Sequence, residues 1–329
     1  TMRIIKQIKD IDGKDGRSFC GVDEHKAYVS TSRGIYTLNL DELTVGAAVK
    51  NADGGDAELG ECGNMVRLGD YVYATEYGKS LRIIDCNNDR IVVTITAKVY
   101  SITMSKDGQL WVSTDKGISR VNTESRQLEE IALPSGIGVP AKDIYAWKSD
   151  GLCASLQNNV IYWTASGWNP TTIFKYDIDN NEFAKVVDLT SDANKWMMYS
   201  ASNLRVDPVT DNLYVSLFKG WGSQDYAVRI YDNNGNQLNE YELTQKNYWF
   251  PGMFLFPDVE DPIAGEIDAV TVEENKDVKV DLANVCSDAD NFQAAIVKSV
   301  KSVAYAGKIA TATVKDGKLV VTGVKAGNT

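Results

Sequence analysis

The sequence predicts an all-β protein: a six- or seven-bladed β-propeller followed by a small Ig-like β-sandwich segment. Three observations predict it. Stretches 18–49, 64–95, 100–133, 151–189 and 203–243 repeat one pattern of short strands separated by turns. A ring residue recurs in the second strand of each, as Tyr28, Tyr73, Trp111, Tyr162 and Tyr214, and a polar residue closes the third, as Asn39, Asp85, Asn122, Asp177 and Asp232. Beyond Glu266 aromatic residues nearly vanish and Val, Thr, Lys and Gly dominate.

The elements follow in order. Residues 1 to about 12 read as the last strand of a blade whose earlier strands precede the chain. The five repeats each supply a blade. Segments such as KAYVST, DYVYAT and QLWVST alternate as half-buried strands do. Turns at Lys106-Asp107-Gly108, Asn158-Asn159 and Asn233-Asn234-Gly235 carry Gly and Asn, which tolerate positive φ. Radial packing gives such blades a way to bury their faces and shorten their edges. The run Asn247–Asp258, NYWFPGMFLFPD, reads as the inner strand of a further blade. Joined to the N-terminal strand it closes a ring of about six; residues upstream would give about seven. Pro257, Pro262 and Gly265 mark a boundary, placing the propeller at 1–261 and the Ig-like segment at 266–329. The latter, at about 64 residues, is short of the roughly 100 an Ig fold needs, so a final strand is expected beyond Thr329. Both ends read as cut.

Composition narrows the function. The chain has 329 residues, 43% of them hydrophobic, and a net charge of −11. A phosphate backbone needs a basic stripe, and none is visible, so nucleic acid is not an expected partner. Five cysteines without a CxxC pair argue against structural zinc and against a disulfide framework. Cys20 and Cys153 fall on inner strands, where a thiol behaves as a small hydrophobe. No apolar run of membrane-spanning length and no signal peptide occur in the sequence.

Standard propeller wiring puts the second-to-third connections and the blade-to-blade connections at one end. That rule groups Trp163, Trp168 and Asn169 in YWTASGWNPTT with Trp221, Gln224 and Tyr226 in FKGWGSQDY. It adds Lys195, Trp196 and Tyr199 in NKWMMYS and Lys246, Tyr248 and Trp249 in KNYWFPG. Flat rings offer apolar area and stacking at small entropic cost, and the amides add polar contacts. These twelve residues form the expected ligand-binding face.

Catalytic constellations are poorly represented. The single histidine, His25, lies in the turn DEHKA, at the opposite end from this face, and there is no GxSxG, P-loop or Rossmann fingerprint. Asp143, Asp192, Glu58 and Glu61 lie in connections without calcium-loop spacing. No metal and no cofactor are predicted.

The repeats, the NLYVS and KAYVST strands, the YWFPGMFLFPD segment and the appended stretch together resemble YncE-like, YVTN-type propellers, in particular surface lipoproteins of Bacteroidota. The resemblance covers about residues 1–260. It implies cell-surface placement at the outer membrane. It also implies capture of a small nutrient, with cobalamin the first candidate, above an outer-membrane transporter of the TonB-dependent kind; a glycan is the other ligand the aromatic face would suit. Two other readings stand beside it: an adhesion or protein-interaction scaffold, and a propeller enzyme of the lactonase-like or quinoprotein dehydrogenase kind. A polar cage in the central channel would favour the enzyme, and a broad aromatic end would favour capture.

Overall fold

The computed structural model describes residues 6–8, 11–140, 151–165, 171–198, 204–219, 225–243, 262–282, 285–287, 298, 300, 303, 307–315 and 317–327. The chain divides into two compact units, Thr1–Pro257 and Asp258–Thr329.

The first unit contains five antiparallel sheets among the described residues, each a meander in sequence order. The first sheet is β1 (Ser18–Gly21), β2 (Lys26–Ser30), β3 (Ile35–Asn39) and β4 (Thr44–Ala48). A two-residue β5 (Lys50–Asn51) then pairs in parallel with the far edge of the second sheet. That sheet is β6 (Cys62–Leu68), β7 (Tyr71–Glu76), β8 (Ser80–Asp85) and β9 (Arg90–Thr96). The third is β10 (Val99–Met104), β11 (Leu110–Thr114), β12 (Ile118–Asn122) and β13 (Gln127–Ile131). The fourth is β14 (Cys153–Ala154), β15 (Val160–Thr164), β16 (Thr172–Asp177) and β17 (Glu182–Asp188). The fifth is β18 (Leu204–Val206), β19 (Leu213–Phe218), β20 (Tyr226–Tyr231) and β21 (Gln237–Leu243).

The first strands converge. β6 packs on β1 and β10, and β14 packs on β10 and β18. Residues of all five first strands, or adjoining them, line one cavity of about 350 Å³. Meanders whose innermost strands surround a common axis are the blades of a β-propeller. The marker residues Tyr28, Tyr73, Trp111, Tyr162 and Tyr214 all fall on second strands, as the repeat predicts. The N-terminal strand and the inner strand expected at Asn247–Asp258 lie wholly or mostly outside the described residues.

The second strands correct one expectation. They are not half-buried but buried on both faces: β11 and β15 are enclosed at every position. Successive side chains of a strand point to opposite faces, so each blade feeds two cores. Tyr162 joins Leu213, Val215 and Leu217 of the fifth sheet. Its neighbour Trp163 joins Trp111 and Ile118 of the third. Tyr28 packs with Cys62, Met65 and Val72 of the second sheet. A blade between two blades has no solvent face, which is why these strands read as apolar runs.

Two devices recur with the repeat. Two residues after each marker stands a buried hydroxyl: Ser30, Thr75, Ser113, Thr164 and Ser216. Ser30 Oγ donates to the Gly63 carbonyl of the next sheet at 2.9 Å, and Thr75 Oγ1 donates to the Asn64 carbonyl at 3.2 Å. The polar residue closing each third strand forms an Asx turn. Its side-chain oxygen accepts an N–H two or three residues on: Glu42 to Asn39, Asn87 to Asp85, Ser125 to Asn122, Asn180 to Asp177 and Asn234 to Asp232.

The second unit holds β22 (Ile263–Ala264), β23 (Asp277–Asp281), β24 (Cys286–Ser287), β25 (Ala310–Lys315) and β26 (Lys318–Gly323). β26 lies between β23 and β25 in a three-stranded sheet, and β22 pairs with β24.

Candidate functional site

Of the twelve residues expected on the aromatic face, the described region contains Trp163, Lys195, Trp196 and Tyr226. Trp168, Asn169, Tyr199, Trp221, Gln224, Lys246, Tyr248 and Trp249 lie outside it. The two described tryptophans are both buried, and this corrects their expected placement.

Trp163 is on β15, not in the connection after it, and is 0% exposed. Its indole N–H donates to the Gly138 carbonyl at 2.8 Å. Its ring lies 6.1 Å from Phe174 and 6.3 Å, edge-on, from Phe183. Phe183 stacks on Tyr176 at 4.4 Å, and Tyr176 meets Trp111 at 5.6 Å. This aromatic chain fills the space between the third and fourth sheets.

Trp196 is 1% exposed and plugs the core between the fourth and fifth sheets. Its indole N–H donates to Glu240 Oε1 at 3.2 Å, and the Lys219 ammonium sits 4.5 Å from its ring centroid. A cation over the ring face is attracted by the ring quadrupole. Lys195, beside it, is exposed and holds φ at 57°, which turns the chain into the buried tryptophan. Tyr226 is half-buried at the start of β20, opposite Phe218 at the end of β19.

Below Trp196 lies a cluster absent from the sequence reading. Arg229 on β20 is only 4% exposed. Its Nη1 donates to Asp192 at 2.6 Å and its Nε to Glu240 at 2.7 Å. Nη1 also reaches the Tyr231 hydroxyl at 3.2 Å. Asp192 further accepts the backbone N–H of Asn194 at 2.9 Å and of Trp196 at 3.3 Å. Burial pushes the Asp192 carboxyl up, but the guanidinium and these N–H groups outweigh it and hold it below its ordinary value. Two carboxylates around one guanidinium satisfy a buried cation. No sequence pattern announces this cluster, because its members are spread over residues 192–240.

The same end of the molecule is braced elsewhere. Met197 and Phe218 exchange backbone hydrogen bonds at 3.0 Å each, and Pro140 bridges Ala165. The connections leaving β15 after Ala165 and β19 after Lys219 therefore start from fixed points at one end of neighbouring blades. The corresponding connections of the first three blades are short: Thr31–Gly34, Tyr77–Lys79 and Asp115–Gly117.

At the opposite end, His25 is exposed in the β1–β2 turn, its Nδ1 3.0 Å from the Asp41 carboxylate. Among the described residues no group of three or more His, Cys, Asp or Glu side chains is placed to hold a metal ion.

Residues 1–257 match the family described as a domain of unknown function, DUF5074. The chain belongs to that family. No curated protein matches it. The DUF5074 chain is similar to two crystal structures of an extracellular domain from B. thetaiotaomicron, one described as part of a one-component system and the other as part of a hybrid two-component system. The first is 13% identical, with a TM-score of 0.53, over 74% of this chain and 29% of that one. The second is 14% identical, also at 0.53, over 74% and 30%. The DUF5074 chain thus spans less than a third of either relative. The WD40 domain of Neurospora crassa Pan2 aligns at 15% identity and a TM-score of 0.46 over 68% of this chain and 63% of that one.

Proposed function

We propose that this DUF5074 domain is a non-catalytic ligand-binding propeller at the cell surface, and that it takes its ligand on the connections following β15 and β19. One observation carries the reading. Those two connections leave adjacent blades at the same end, from Ala165 and Lys219, and both roots are braced by backbone bridges. The Arg229 cluster and the buried Trp196 stiffen the ground between them. A site works best when its contacts stand on rigid support. The fold supports an extracellular role by analogy, since two extracellular domains share it.

On this reading the contacts come from Trp168, Asn169, Trp221 and Gln224, while Trp163 and Trp196 serve as structure beneath them. The ligand is a small nutrient or a glycan; cobalamin is the first compound to test, and a TonB-dependent transporter the partner that would receive it. A lipid anchor upstream of the chain completes the proposal. Calorimetric titration with cyanocobalamin and a glycan panel tests it. Trp168→Ala and Trp221→Ala should each weaken binding by about 1–3 kcal/mol while leaving the thermal midpoint in place. Absence of heat with every compound, or unchanged affinity in both variants, would favour the adhesion-scaffold reading instead.

A further inference from the structure

Two carboxylates are deeply buried among the described residues, Glu76 and Asp211, each 4% exposed. Their surroundings differ. Glu76 faces a guanidinium: its Oε2 accepts Arg82 Nε at 3.0 Å and Nη2 at 2.6 Å. No ammonium or guanidinium pairs with Asp211 among the described residues. Its Oδ2 accepts the Asn158 and Asn233 amide N–H groups at 2.7 and 3.3 Å. Its Oδ1 is shielded from solvent and accepts nothing. An ionised carboxylate held out of water by neutral amides alone is costly, and an unused oxygen adds to that cost.

The place is a seam between the fourth and fifth blades where three hairpin turns meet. Asp211 lies in the β18–β19 turn, its N–H on the Asp207 carbonyl at 3.0 Å and its φ at 60°. Asn158 comes from the β14–β15 turn and Asn233 from the β20–β21 turn. Gln157 ties the first two turns together, donating to the Pro208 carbonyl at 2.5 Å. Asn158 and Asn233 meet Asp211 through nitrogen, and the amide oxygen of each is a further electron-pair donor for a hard cation. Burial raises the pKa of the Tyr162 hydroxyl, and Asp211, Asp177 and Asp232 raise it further, so three carboxylates share its surroundings. The Lys175 ammonium reaches the Asn233 carbonyl at 3.4 Å and pairs with none of the three.

We infer that this seam binds a calcium ion, with Asp211 Oδ1 as the one direct carboxylate ligand and amide oxygens and water completing the shell. Calcium accepts about six to eight oxygens in irregular geometry, whereas magnesium demands a near-octahedral set. Among the described residues no three acidic side chains share coordination distance, so the site falls at the weak end for calcium, with a Kd of about 0.1–1 mM. The bound ion gives Asp211 the counter-charge that Arg82 gives Glu76, and it clamps the fourth blade to the fifth. Asp177 and Asp232 act on it at longer range.

The test is thermal unfolding of the full chain, stripped with EDTA and returned to about 5 mM calcium chloride, beside calorimetric titration with the same salt. The midpoint should rise by about 2 °C or more over a sodium chloride control of equal ionic strength, and by less in magnesium chloride. Asp211→Asn keeps the shape of the side chain, removes its charge and should abolish the calcium-dependent rise. Asn233→Ala, in a half-buried turn position, should weaken calcium binding about threefold or more. Asp107→Asn, a carboxylate that bonds Asn159 on the neighbouring seam, should leave the rise intact. No rise beyond the sodium control, or an equal one with magnesium, would overturn the inference. So would an undiminished rise in a folded Asp211→Asn chain, or its loss in Asp107→Asn as well. Should Asp211→Asn fail to fold, wild-type calcium affinity in Asn233→Ala would overturn it.

Discussion

Replacing Arg229 with Met is the most direct probe of how the fourth and fifth blades are held together. The guanidinium makes three short contacts to carboxylates: 2.6 Å to Asp192, and 2.7 and 2.5 Å to Glu240. A hydrogen bond to a charged group is worth about 1.5–3 kcal/mol, and breaking a buried ion pair from one side costs about 3–5 kcal/mol. Two facts pull the figure to the low end. Asp192 keeps its bonds from the Asn194 and Trp196 N–H groups, and Glu240 retains 18% side-chain exposure. Met also fills much of the vacated space and removes a desolvated cation. The expected loss is about 3 kcal/mol. Urea unfolding followed by tryptophan fluorescence reads it, with the slope against denaturant unchanged. The pH dependence supplies a second reading. Asp192 is held below its ordinary value, so its contribution is present above about pH 4 and lost as pH falls through the folded value. The gap between wild type and Arg229→Met should therefore narrow below about pH 4. A loss under about 1 kcal/mol, or a gap that does not change with acid, would refute the reasoning.

Other outcomes can be checked separately. Gly235 holds φ at 87°, and a Cβ there would stand 1.8 Å from the Val186 carbonyl oxygen, so Gly235→Ala should cost about 2–4 kcal/mol in the same unfolding assay. Four of the five cysteines are buried, and burial pushes the thiols of Cys20 and Cys62 up to about 12 and that of Cys86 up to about 11. A thiol reagent at neutral pH should accordingly label only Cys286 before denaturation. The Asp41 carboxylate raises the pKa of His25, so its NMR titration should lie above the ordinary value near about 6.5 and fall in Asp41→Asn.

The repeat was legible because each blade solves the same problem with the same residues. A large ring fills the space between blades, a small hydroxyl residue two places on is buried in each and hydrogen-bonded in the first two, and an Asx oxygen closes the outer turn. What misled was a single step of strand register. The sequence reads Tyr162 as the second-strand ring and Trp163 as part of the connection after it, yet in a strand buried on both faces adjacent residues enter different cores. Trp196 misled similarly, because a connection between blades can dive inward to cap a core. Arg229 was invisible for another reason. An isolated charge in a strand looks like surface until its partners arrive from distant segments.

The Asx turns have a consequence for how such a chain can change. Each outer hairpin is closed by atoms within a few residues of one another, so that end of a blade carries its own instructions. The opposite end then varies without endangering assembly: three of its second-to-third connections stay short, while those after Ala165 and Lys219 are longer. Inheritance can hold one rim constant and experiment on the other, and a family built this way would diverge in what it recognises long before it diverges in shape.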